Sequence, residues 1–81
     1  MPRRFQVTEY FVHRVMFDRP YATVELCIKV IRSPERVEIQ TDGRIRFWAR
    51  LPELDGRALR VVTLSDARTI LNAFMDRRFR P

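Results

Sequence analysis

The stretch from Arg36 to Leu51 constrains the fold more than any other, because its turn assigns every side chain to one of two chemically opposite faces. Thr41-Asp42-Gly43 reads as a three-residue hairpin loop with Gly43 in the left-handed region. That loop pairs Gln40 with Arg44, Ile39 with Ile45, Glu38 with Arg46, Val37 with Phe47 and Arg36 with Trp48. One face then carries Val37, Ile39, Ile45, Phe47, Ala49 and Leu51. The other carries Arg36, Glu38, Gln40, Arg44, Arg46, Trp48 and Arg50. A two-residue Asp-Gly loop would set Ile39 against Arg46, and the one-residue slip would move a whole set of side chains across the sheet. The longer loop is therefore expected, and with it an arginine-rich ribbon around a tryptophan.

Eighty-one residues make one small domain, 1–81, with a core just large enough to fold alone. Fifteen arginines and one lysine face ten carboxylates, a net charge of +6. Arginine's planar fork suits phosphate, and the excess gives an attractive field toward RNA or another polyanion. A solvated basic surface accounts for the same excess without any partner. The lone Cys27 forbids an internal disulfide and reads as a small buried apolar residue in a reduced, intracellular chain. One histidine and one cysteine leave only scattered carboxylates for a metal, so neither metal nor cofactor is expected. The two glycines stand in separate turns, which excludes a phosphate-cradling glycine loop. No apolar run approaches a membrane span, and Met1-Pro2-Arg3-Arg4 has no signal-peptide core behind it, so the cytoplasm is the expected location.

Thr8 can cap a first helix, with Glu9 at its positive end and Phe11, Val12, Val15 and Met16 along one side, until Pro20 stops it. From Tyr21 to Arg32, Val24, Leu26, Ile28 and Val30 alternate like a strand, whereas Val24, Cys27, Ile28 and Ile31 repeat like a helix. Helix is preferred, because a strand would waste Cys27 and Ile31 on its polar face and Ser33-Pro34 ends the segment as a helix ends. Pro52 to Gly56 is a loop. Ala58 to Leu64 is apolar on both faces apart from Arg60 and Thr63, which marks a central strand. In the last segment, Arg68 to Asp76, Ala67, Ile70, Leu71 and Phe74 fit a helix capped by Ser65. Ile70, Asn72 and Phe74 also alternate with Leu71, Ala73 and Met75 as in a strand, and pattern alone favours the helix.

Gln40, Asp42-Gly43-Arg44-Ile45-Arg46, Trp48-Ala49, Leu59-Arg60-Val61-Val62, Thr69, Asn72-Ala73-Phe74, Asp76-Arg77 and Phe79 together resemble a family of small uncharacterised bacterial proteins. The resemblance runs from Pro34 to the C-terminus and carries no activity. In layout, two helices followed by an antiparallel sheet, the chain also resembles the RelE and BrnT ribonuclease toxins. The family resemblance implies that the last segment is a strand entered through a tight turn at Asp66-Ala67. Where such relatives carry a histidine this chain has Leu71, so no catalytic role passes to that position. The expected fold is therefore α+β: two N-terminal helices packed on one face of a four-stranded antiparallel meander, in strand order 1-2-3-4.

Nucleic-acid contact is expected at Arg44, Arg46, Trp48, Arg50 and Arg60. Trp48 could stack on an unpaired base between Arg46 and Arg50, or be packed under Arg36 by a cation-π contact and never meet a ligand. Metal-free RNA cleavage needs a proton acceptor, a proton donor and cations for the phosphate. Tyr10 and His13 are the candidate proton-transfer groups, with Arg46 and Arg60 beside Arg44 as the charge; the alternative leaves His13 a surface residue next to Arg14. RNA or polyanion binding through the arginine-rich face is the expected function, with toxin-like, metal-independent ribonuclease activity as its sharper form. The competing expectation is a non-catalytic interaction module or homodimer using Trp48, Val62 and Leu64 on the open sheet face, a patch that Phe79 could instead cover.

Overall fold

The computed structural model describes residues 4–81, so the absence of a leader read at Met1-Pro2-Arg3 lies outside the described residues. Its elements are β1 (Gln6–Val7), α1 (residues 9–18), α2 (Val24–Arg32), β2 (Arg36–Ile39), β3 (Ile45–Leu51), β4 (Arg57–Thr63) and β5 (Thr69–Met75). The β2–β3 hairpin has the expected register, with Ile39 opposite Ile45, Val37 opposite Phe47 and Arg36 opposite Trp48. Gly43, at φ 89°, closes the loop by donating its N–H to Gln40 O at 3.0 Å, while Gln40 N–H donates to Arg44 O at 2.8 Å. Only a residue at ease in the left-handed region serves there.

The sheet has five strands in the order β1-β5-β4-β3-β2, not four in a pure meander. The additional strand, β1, lies parallel to β5, held by Gln6 N–H on Arg68 O (3.0 Å) and Thr8 N–H on Ile70 O (3.1 Å). Two residues are too few to show any hydrophobic period, which is why β1 leaves no mark in the sequence. The other three pairings are antiparallel, and β4 stands at the centre as its two apolar faces require.

Thr8 caps α1, its Oγ1 accepting from Phe11 N–H at 3.1 Å. The helix then widens into a π turn over Phe11–Val15, in which Met16 N–H reaches back to Phe11 O. Phe11 and Val15 enter the core, but Val12 and Met16, expected on the same side, are turned out to solvent. Helix α2 starts later than Tyr21: Thr23 is its cap, accepting from Leu26 N–H at 3.2 Å, and Tyr21 instead accepts from Met75 N–H through its hydroxyl at 3.1 Å.

One sheet face is covered. Phe47, Ala49 and Leu51 of β3, Leu59 and Val61 of β4, and Ile70 and Ala73 of β5 pack against Phe11, Val15, Cys27, Val30 and Ile31. Helix α2 packs chiefly over β3 and β4 rather than over β2. Ile39 is consequently 75% exposed although it keeps its register on the apolar face. The last segment is a strand, as the family resemblance implies, and its entry turn places Ala67 at φ 59°. Asp66 braces the turn by accepting from Arg68 N–H, Thr69 N–H and Thr69 Oγ1–H. Within β5 the register shifts, so that Thr63 opposes Ile70 while Val62 opposes Asn72, leaving Leu71 as the extra residue. No helix among the described residues is long and apolar enough to cross a membrane.

Candidate functional site

The uncovered face is ordered in cross-strand rows: Arg46, Val62 and Asn72; then Trp48, Arg60 and Phe74; then Arg50 and Ala58. Trp48 sits at its centre and is only 5% exposed. Phe79, from the segment after β5, stacks on its ring at 6.1 Å between centroids and 17° between planes. The indole Nε1–H donates to Asp76 Oδ2 at 2.9 Å, and the Arg36 guanidinium lies 5.4 Å from the ring centroid. The Trp48 hydrogen bond, aided by Arg78 N–H and by the charges of Arg60 and Arg78, holds the Asp76 carboxyl below the usual carboxylate range against the opposing effect of burial. A base reaching Trp48 would have to displace Phe79. Of Trp48, Val62 and Leu64, only Leu64 is exposed, at 37%.

Beside this aromatic plug lies a cleft of about 390 Å³ that gathers Tyr10, Gln40, Arg44, Arg46, Arg60 and Asn72. Strand alternation directs Arg46 and Arg60 into it, and α1 packs against β5 so that Tyr10 reaches it from the side. Arg60 is wedged against Phe74, 4.2 Å from the ring centroid, with its Nε buried and without a hydrogen-bond partner. Burial first, then the Arg46 charge, lowers the Arg60 pKa, opposed by the charges of Asp76 and Glu38. An arginine so placed still carries its charge. Gln40, with its amide oxygen turned toward Arg46, accepts from both Nε and Nη2 of that guanidinium. Among the described residues neither Arg46 nor Arg60 has an ion-pair partner. Arg44, at the rim, keeps a loose pair with Asp42 at 3.7 Å.

Arg50 belongs to the opposite end of the face. Its guanidinium grips Glu35, with Nη2 2.6 Å and Nε 3.0 Å from Oε1, and its backbone N–H donates to Glu35 Oε2 at 2.6 Å. Those hydrogen bonds hold Glu35 below the usual carboxylate range and raise Arg50 above its ordinary value. Arg50 instead borders a second, shallow cleft of about 650 Å³ shared with Arg57, Asp76, Arg77 and Arg80.

The structure therefore brings Tyr10, Arg44, Arg46 and Arg60 together, places Arg50 apart and buries Trp48 between. His13 is exposed on α1 and lines neither cleft. Sequence reasoning did not assign Gln40 to the site, although the hairpin register puts it opposite Arg44 on the same face. Asn72 reaches the cleft only through the β5 register shift, and there its Oδ1 accepts from Arg19 Nη1 at 3.4 Å. Arg57, Arg77 and Arg80, which line the second cleft, were not among the expected site residues. Comparison with protein-family models, with curated proteins and with solved structures finds no match to this chain.

Proposed function

We propose that this protein binds RNA or a similar polyanion through the cleft formed by Arg44, Arg46 and Arg60. The observation that carries the reading is the Arg46–Arg60 pair: two like charges share one cleft, neither has an ion-pair partner among the described residues, and Arg60 is partly desolvated. Such a pair repels itself until an anion enters. A phosphate satisfies both guanidinium forks and relieves that repulsion. Mixed-sequence single-stranded RNA titrated at low salt should bind, with log affinity falling linearly as log salt rises. Changing both Arg44 and Arg46 to alanine should weaken binding at least about tenfold, since a hydrogen bond to a charged group is typically worth ~1.5 to 3 kcal/mol. Binding that is undetectable, or indifferent to ionic strength, removes the reading.

Tyr10 lines the same cleft, which favours a sharper form of the same reading: metal-independent RNA cleavage with the Tyr10 hydroxyl as the proton-transfer group. Cleavage of this kind persists in excess chelator and leaves a cyclic phosphate or its 3′-phosphate hydrolysis product. Tyr10→Phe should then slow it by ~10²-fold or more while RNA affinity holds. RNA that stays intact with purified protein reduces the function to binding.

A further inference from the structure

The second cleft gives the proposed binding reading a definite ligand class. Arg46 and Arg50 lie on the same strand and the same face, four residues apart, a separation of ~13 Å at the usual rise per residue. Each marks one cleft, and between the two stands the Trp48–Phe79 stack. Arg57, Arg77 and Arg80 gather around the second cleft with Asp76, whose carboxylate is already engaged by Trp48 Nε1–H and Arg78 N–H. Arg50 is neutralised by Glu35, so the attraction there comes from the three other arginines. Among the described residues Arg57 approaches Asp55 at 4.0 Å and donates to Met75 Sδ at 3.8 Å, and Arg80 donates to Phe79 O at 3.5 Å.

One phosphate group cannot occupy two clefts ~13 Å apart. A phosphate chain can. Trp48, the ring between the two clefts, is capped by Phe79 and hydrogen-bonded to Asp76, which leaves charge as the main recognising element along the path. We infer that the two clefts are subsites for one single-stranded nucleic acid, gripped by its backbone and read without regard to base. This rests on the binding function proposed above. It adds a minimum ligand length and an absence of sequence preference.

The test uses deoxyoligonucleotides, which lack the 2′-hydroxyl and so cannot be cut by the chemistry considered above. A dinucleotide should occupy the first cleft weakly, and an oligonucleotide of about eight nucleotides should bind at least tenfold tighter, because the second contact becomes intramolecular. The triple variant Arg57→Ala, Arg77→Ala, Arg80→Ala should erase that length advantage and leave dinucleotide affinity unchanged. These side chains are exposed, and an unaltered circular dichroism spectrum confirms that the variant is folded. Homopolymers of thymidine, cytidine and adenosine should bind within about threefold of one another, with little quenching of the single tryptophan.

A dinucleotide that fails to bind defeats the first-cleft reading. A dinucleotide that binds with no gain on lengthening, or a gain that survives the triple variant, defeats the two-subsite inference alone. Strong base preference with quenching of Trp48 overturns it too, since Phe79 would then have given way to a base. Inorganic polyphosphate that outcompetes the oligonucleotide charge for charge would reassign both clefts to that polymer.

Discussion

The two faces of this sheet come from the same alternating strands, yet they divide the work of the molecule between them. On the covered face Phe47, Leu59, Val61 and Ile70 meet the helices, and the face is apolar throughout its centre. On the open face a buried plug of Trp48, Ala58 and Phe79 is bordered by Val62 and Phe74, and arginines stand between and around these apolar groups. Burial in the first face supplies most of the stability; the second tolerates an excess of like charge because stability is supplied elsewhere. Glu35 and Glu38 form ion pairs with Arg50 and Arg36, whereas among the described residues Arg46 and Arg60 have no carboxylate within ion-pair distance.

The comparison breaks most sharply at Phe47. Phe47→Ala should destabilise the protein by ~3 to 5 kcal/mol in urea unfolding, whereas Arg46→Ala, the adjacent residue on the other face, should change it by no more than about 0.5 kcal/mol. Equal losses from the two would mean that the faces do not differ as described. Phe79→Ala tests the plug, which has fewer neighbours than the core: a loss of ~1.5 to 3 kcal/mol is expected, with Trp48 emission moving to longer wavelength. No change in emission would show that Phe79 does not shield the indole.

Acid gives the mildest perturbation. The Asp76 carboxyl titrates below the usual range in the folded protein, so its contribution is fully present above the ordinary carboxylate value and is lost as pH falls through the depressed folded one. Trp48 emission should therefore shift as pH drops below the ordinary aspartate range, before global unfolding. Asp76→Asn should remove that step. A shift that persists in the variant assigns it to another carboxylate, Glu35 being the first to examine.

The hairpin was readable because one loop length alone keeps Ile39, Ile45, Val37 and Phe47 together. The strand character of residues 69–75 was not readable from period, and the register shift explains it. Skipping Leu71 puts Ile70 and Ala73 on the core side and Asn72 and Phe74 on the other, which mimics the three-residue spacing of a helix. The π turn was equally hidden, since the same apolar residues fit an ordinary helical turn. At the site, Arg44, Arg46 and Arg60 follow from register alone. The separate fate of Arg50 does not: a strict ladder would set Pro34 against it, but the ladder ends with Glu35 N–H on Trp48 O at 2.7 Å, turning the Glu35 carboxylate toward Arg50. The capping of Trp48 by Phe79 is the alternative the sequence offered to an open patch, and period could not decide for it, because the chain after β5 has no periodicity to be read.

Cys27 lies on α2, wholly enclosed, its thiol pushed up to about 12 by burial. While the fold is closed it is neither ionised nor reachable, and so inert to disulfide reagents at neutral pH. Every modification of this single cysteine then records an opening of the core. The unaltered protein thus carries an internal clock: its labelling rate, set against that of the unfolded chain, gives the free energy of the opening that exposes α2.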